Sequence, residues 1–309
     1  MQLEVDKDVR PVQQPLRRVP ETMRKPLKEY LDELEAKGIL EKVERPTEWV
    51  NPMVISRKTN GKLRLCLDPK PLKKALKRCH FPMPVIEDIL PEFGKAKIFT
   101  KVDCKDGYWQ IKLMEESSLL TAFATPFGRY EWNRMPFGIS PASEIFQLRL
   151  HEAVEGLDGV YTIADDILIA GAGGTMQEAI TDHDLKIKKL LERCRERKVK
   201  LNRQKVAFKQ TEVPYIGHLL TSEGLKADPS KVGAVLNMER PTDLSGVQRI
   251  MGTVNYLAEF LPSLSEVSEP LRLLTRKEVE FTWDKVHERA FDRIKETVTA
   301  SPVLKYYER

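Results

Sequence analysis

"VYTIADDILIAG", residues 160–171, sets two adjacent carboxylates, Asp165 and Asp166, between apolar runs that read as buried β-strands. Aspartate is a common turn residue, so one reading is a hairpin whose acidic tip simply faces water. The other is chemical: a carboxylate pair suits magnesium, a hard cation that takes a few protein carboxylates together with substrate phosphates. The stretch by itself leaves both open, and the flanking sequence has to decide.

Upstream, "AKIFTKVDCKDGYWQIKL" (96–113) alternates so that Phe99, Lys101 and Asp103 share a face, and it breaks at Asp106-Gly107. Asp103 therefore stands near a strand end. Between the acidic segments, "ISPASEIFQLRLHEAVEGL" (139–157) predicts a helix with Ser140 as N-cap, Pro141 in the first turn, and Phe146, Leu150, Ala153 and Leu157 as its buried stripe. Closer to the N-terminus, "NPMVISRKTNGKLRLCLD" (51–68) predicts two strands joined by Asn60-Gly61, a pair that accepts the positive φ of a tight turn. Leu63, Leu65 and Leu67 face one side of that hairpin, and Arg64, Cys66 and Asp68 the other. Before it, Leu27, Tyr30, Leu31 and Leu34 follow helical spacing up to a stop at Gly38.

Downstream, residues 176–198 predict a long basic helix with Ile187, Leu190, Leu191 and Cys194 on one face, followed by short strands around "VAFKQ" and "PYIGHLL". From Asp228 onward the pattern is helical, in "DPSKVGAVLNM", "DLSGVQRIMGTVNYLAEFL" and "FTWDKVHERAFDRIKETV", which sets a subdomain boundary near "SEGLKADPS" (222–230). At 309 residues, 41% hydrophobic and 31% charged, the chain can bury a sizeable core. No apolar run reaches the length of a membrane span, and the N-terminus lacks a secretory core, so an intracellular protein is expected. The four cysteines form no CxxC pair, which leaves zinc and disulfide frameworks unsupported. A net charge of +5 is modest, but "KPLKKALKRCH" (70–80) and "KIKKLLERCRERKVKLNRQK" (186–205) gather cations locally. Such faces often serve solubility alone.

"IFTKVDCKDGYWQI", "RMPFGISPASEIFQ", "IADDILI" and "PYIGHLL", in this order, resemble the successive motifs of reverse transcriptases, specifically the gypsy class of long-terminal-repeat retrotransposons and retroviral polymerases. The resemblance extends over nearly the whole chain. It implies an α+β right-hand polymerase fold, with fingers and an antiparallel palm over 1–225 and a helical thumb, leading into a connection, over 226–309. It implies an RNA-directed DNA polymerase that adds deoxynucleotides to a primer 3′ end on an RNA or DNA template, without a membrane. Location would be a cytoplasmic particle or the nucleus. The chain's end before an RNase H acidic cluster marks it, on this resemblance, as the polymerase part of a longer polyprotein. A competing expectation is a decayed or co-opted element that binds nucleic acid without polymerising.

The resemblance assigns Asp103, Asp165 and Asp166 as the catalytic triad holding two magnesium ions, with manganese an alternative. Such metals stabilise the attacking and leaving oxygens of an in-line phosphoryl displacement. Arg64, with Lys58 and Arg57, would grip the nucleotide triphosphate; Tyr108 would be a steric gate against a ribose 2′-hydroxyl; Phe137 and Gly138 would flank the nucleotide. Tyr215, Ile216, Gly217 and His218 would form the primer grip, and Lys205 would donate a proton to pyrophosphate. The chain departs from the family pattern at Ile163, where tyrosine is usual and apolar contact with the primer end is expected to remain. It departs also at Ser143, where proline is commoner, and at Lys73, where asparagine is commoner. None of these removes a carboxylate.

Overall fold

In the computed structural model, which describes residues 1–57, 61–261, 263–276, 278–300 and 303–306, strands and helices interleave to residue 227 and helices follow. Helix Glu21–Ala36 buries Leu27, Leu31 and Leu34, and Gly38 at φ +65° ends it as predicted. Strand β1 (Leu40–Val43) comes next, then the hairpin of β2 (Met53–Arg57) and β3 (Leu63–Leu67), with Met53 opposite Leu67 and Arg57 opposite Leu63. Its tip, including Lys58 and Asn60, lies outside the described residues. Strand β4 (Ala96–Asp103) carries the first acidic residue to its end. Strands β5 (Phe123–Thr125) and β6 (Gly128–Trp132) join β1 in a three-stranded antiparallel sheet of order β1-β6-β5.

The next helix is Ala142–Val154, so Ser140 is not its cap. The Pro141 carbonyl accepts the Ile145 N–H at 2.9 Å, which makes Pro141 the boundary residue and leaves the end without a side-chain cap. Strands β7 (Val160–Ile163) and β8 (Asp166–Ala172) are the acidic hairpin, and with β9 (Ala207–Gln210) they build the central antiparallel sheet β7-β8-β4-β9. Side chains alternate across β8. Ile167 and Ile169 enter one core with Leu150, Leu190 and Cys194 of the covering helices, while Leu168 and Ala170 enter a second core on the opposite face. Burial on both faces is why "DILIAGA" is almost continuously apolar.

Helix Met176–Arg197 opens with a capping box in which Glu178 N–H donates to Thr175 Oγ1. Its buried spine is Ala179, His183, Leu190 and Cys194; Leu191, predicted inward, is 38% exposed. "PYIGHLL" is a turn between two strands. β10 (Glu212–Tyr215), β11 (His218–Thr221) and β12 (Gly224–Ala227) form a small antiparallel sheet, turning between β10 and β11 at Ile216 and Gly217, both at positive φ. Helices Pro229–Leu236, Leu244–Tyr256, Leu264–Leu274 and Lys285–Thr299 complete the chain. Val247, Val254 and Ile294 from these helices share the second core with Val213, Tyr215 and Leu220 of the small sheet and with Phe99 of β4. Among the described residues no helix is long and apolar enough to cross a membrane.

Candidate active site

The register of the central sheet decides where the acids meet. Asp103 at the end of β4 lies opposite Asp166 at the start of β8, and Ile163 also pairs with Asp166, so Ala164 and Asp165 are the turn. The Cys104 N–H donates to the Asp165 carbonyl at 2.9 Å, tying the β4 end to that turn. Asp165 is exposed, Asp166 half-buried and Asp103 buried. Burial pushes the Asp166 carboxyl above its ordinary value, and Asp165 and Asp103 push it the same way against the pull of Lys101. Ile163 is 6% exposed and packs in the second core. It supports the hairpin from beneath and does not offer the apolar surface to a primer that the sequence suggested.

Ala164 is held at φ +54°, a region costing roughly 1–2 kcal/mol for a residue with a β-carbon. Gln147, fully buried on helix Ala142–Val154, stabilises this turn. Its Oε1 accepts the Ala164 N–H at 2.7 Å, while its Nε2 donates to the carbonyl and hydroxyl of Thr162 at 3.0 and 3.1 Å. Gln147 closes the motif "RMPFGISPASEIFQ", but no role had been read for it. The available signal was an amide between Phe146 and Leu150 of the predicted buried stripe, where a buried polar group needs a partner.

Beside Asp165 opens a cavity of about 240 Å³ lined by Arg64, Tyr108, Phe137, Phe146 and Ser143. Arg64 stacks its guanidinium over the Phe137 ring at 5.1 Å. Three of the residues expected at a nucleotide thus share one cavity with a carboxylate. Gly138 does not line it: a β-carbon there would stand 2.0 Å from the Leu67 carbonyl oxygen, so glycine lets this loop dock on the β2–β3 hairpin. Arg57 is also elsewhere. It pairs across from Leu63, on the other side of the hairpin from Arg64, and lines a separate cleft with Arg17, Arg18 and Met23.

Of the expected primer grip, Tyr215 is 1% exposed, with its hydroxyl 3.5 Å from the Asp166 carbonyl, so it braces the acidic strand from below. Ile216, Gly217 and His218 form the half-buried turn above it. Tyr256 of helix Leu244–Tyr256 donates to the Ile216 carbonyl at 3.3 Å, and Glu259 pairs with His218.

The donor set suits magnesium in kind, being carboxylate oxygen throughout. Its arrangement is looser than the expected triad: among the described residues no three Asp, Glu, His or Cys side chains are grouped closely enough to hold a metal ion. Ammonium groups answer the charge instead. Lys205 Nζ lies 2.7 Å from Asp103 Oδ2 and Lys101 Nζ 4.0 Å from Asp166 Oδ2. The bond to Asp103 raises the Lys205 pKa above its ordinary value. Because the Lys205 side chain is 61% exposed, a cation of higher charge can displace it without repacking.

A family model described as reverse transcriptase (RNA-dependent DNA polymerase) matches residues 55–220. The Transposon Tf2-3 polyprotein of Schizosaccharomyces pombe is 30% identical over 277 residues, 88% of this chain and 20% of that protein. The Tf2-7 polyprotein of the same yeast is 28% identical over 275 residues. The chain thus spans about a fifth of the length of these polyproteins. Among solved structures, the foamy viral protease-reverse transcriptase in complex with double-stranded DNA superposes with a TM-score of 0.87 at 21% identity, covering 97% of this chain and 62% of that one. The same viral protein in complex with an RNA/DNA hybrid gives 0.83 at 20% identity, covering 97% and 40%. These likenesses carry the right-hand polymerase fold.

Proposed function

Because this chain belongs to the reverse transcriptase family, we propose that it is an RNA-directed DNA polymerase that extends a primer with deoxynucleotides. The observation that carries the proposal is the convergence of Arg64, Tyr108 and Phe137 with Asp165 on one cavity at the acidic end of the central sheet. Arg64 would hold the triphosphate through charge-assisted hydrogen bonds, for which a guanidinium is suited. Tyr108 would close the sugar side against a 2′-hydroxyl, and Phe137 would keep Arg64 oriented from beneath. The Ile216–His218 turn would bear on the primer.

Asp103, Asp165 and Asp166 would hold two magnesium ions, or manganese in their place, once Lys205 and Lys101 give up Asp103 and Asp166 and the three carboxylates close in on the ions. Bound there, such ions stabilise charge on the attacking and leaving oxygens of an in-line displacement. Lys205, 2.7 Å from Asp103 and freed from it when a metal ion binds there, would carry its proton at Nζ to the pyrophosphate leaving group. Template and primer would be gripped largely through phosphates, so affinity should fall with salt.

The test is primer extension on an RNA template with magnesium. Asp165→Asn should abolish extension while template–primer affinity stays nearly intact, because it removes a metal ligand and not a phosphate contact. Loss of both together would count against the role of Asp165. Binding without extension by the wild-type chain would favour a co-opted nucleic-acid binder.

A further inference from the structure

Tyr108 is held in the cavity wall on three sides. Phe137 lies 4.9 Å away at 38°, Phe146 lies 5.6 Å away at 64°, and the phenol oxygen is 2.8 Å from Ser143 Oγ. The two ring contacts are apolar and allow the Tyr108 ring to rock or slide; only the hydrogen bond is directional. Ser143 stands in the first turn of helix Ala142–Val154, the helix that also carries Phe146 and the turn-binding Gln147, so its hydroxyl is anchored to the same rigid element as the acidic turn. It lines the cavity that Tyr108 and Asp165 line.

We propose that Ser143 is a specificity-determining positioning residue: its hydroxyl pins the phenol end of Tyr108 and so sets how strictly ribonucleotides are excluded. The inference rests on Tyr108 being the sugar gate. A ring that is merely packed can yield to an extra hydroxyl by tilting, whereas a ring fastened at its far end must break the bond first. Discrimination then depends on a group that need not touch the nucleotide.

The experiment measures kcat/KM for matched deoxy- and ribonucleotides on the full 309-residue chain. Ser143→Ala should lower the deoxy-to-ribo ratio about 3- to 10-fold, the worth of one ordinary hydrogen bond. Tyr108→Phe cuts the same bond from the other end, so it should give a similar ratio, and the double variant should add little. Ser143→Thr, which keeps the hydroxyl, should restore the wild-type ratio. Additive losses, or no loss in Ser143→Ala, overturn the pin. Tyr108→Val separates this inference from the one beneath it: if that variant collapses discrimination while Ser143→Ala does not, the gate stands and the pin falls. An unaltered ratio in Tyr108→Val removes the gate itself. In the unliganded chain, the Tyr108 ring resonances should shift in Ser143→Ala and return in Ser143→Thr. Resonances indifferent to Ser143 overturn the pin whatever the activity.

Discussion

At the scale of single residues, the site is organised by groups that support the chemistry from behind. Gln147 is the clearest case, since its amide hydrogen bonds all go to the acidic hairpin and Ala164 keeps its positive φ against that support. Gln147→Leu leaves the volume nearly unchanged but strands the half-buried Ala164 N–H and the buried carbonyl and hydroxyl of Thr162. It should cost about 1–3 kcal/mol of stability. By letting Asp165 drift, it should also lower kcat about 100-fold, since misplacement of about 1 Å can have that effect. Steady-state extension kinetics check this; a fall in stability with kcat intact would make Gln147 a core residue and nothing more. Arg64 behaves differently because it would meet the nucleotide in the ground state. Arg64→Ala should raise the nucleotide KM about 10-fold or more with little change in primer affinity. An unchanged KM would remove Arg64 from the triphosphate site.

At the scale of elements, the helix Ala142–Val154 is joined to the basic segment before it through one carboxylate. Buried Glu144 accepts from Arg78 Nε at 2.8 Å and from the Cys79 and His80 N–H groups at 3.1 and 3.2 Å. Arg78 first, and the two backbone donors after it, hold the Glu144 carboxyl below its ordinary value of 4.5. A depressed folded-state value means stability that is present above 4.5 and lost as the pH falls through the folded-state value. Glu144→Gln should therefore lower the melting temperature at neutral pH, and the deficit should shrink as the medium is acidified below 4.5; a deficit constant with pH would mean that shape and not charge is at stake. Elements of this kind were legible where one period dominates. Leu27, Leu31 and Leu34 declare their helix, Asp103 its strand end and Asp165 its hairpin turn, because burial repeats along the chain itself. What could not be read depends on register between distant segments. Arg57 and Arg64 are near in sequence yet face opposite ways, because Arg57 pairs with Leu63 on the leucine face. Lys205 reaches Asp103 across 102 residues, a pairing that no local pattern announces.

At the scale of the whole molecule, the central sheet has a core on each face, and among the described residues the C-terminal helices contribute to the second. Tyr215 is one link between these helices and the acidic end, sharing that core with Val247 and Val254 and setting its hydroxyl 3.5 Å from the Asp166 carbonyl. Above Tyr215 the turn is closed by Gly217, at φ +79°, against Tyr256: a β-carbon at position 217 would stand 1.5 Å from the Tyr256 hydroxyl oxygen. Glycine is needed here both for its backbone and for the space it leaves. Gly217→Ala must therefore swing the exposed Tyr256 ring out, breaking its bond to the Ile216 carbonyl, or twist the turn away from β11, with strain of roughly 1–3 kcal/mol for the backbone alone. Either movement changes the surface that would bear on the primer, while the Arg64–Tyr108–Phe137 cavity stays supported by the first core. The expected outcome is weaker template–primer binding and shorter products per encounter, with the deoxy-to-ribo preference retained. Filter-binding titration, product-length analysis with a trap and the sugar-discrimination ratio, measured on one preparation, read the three quantities. If discrimination fell as far as primer affinity, the two cores would not act as separate supports, and the turn would be coupled to the nucleotide cavity through Tyr215 and the acidic strand.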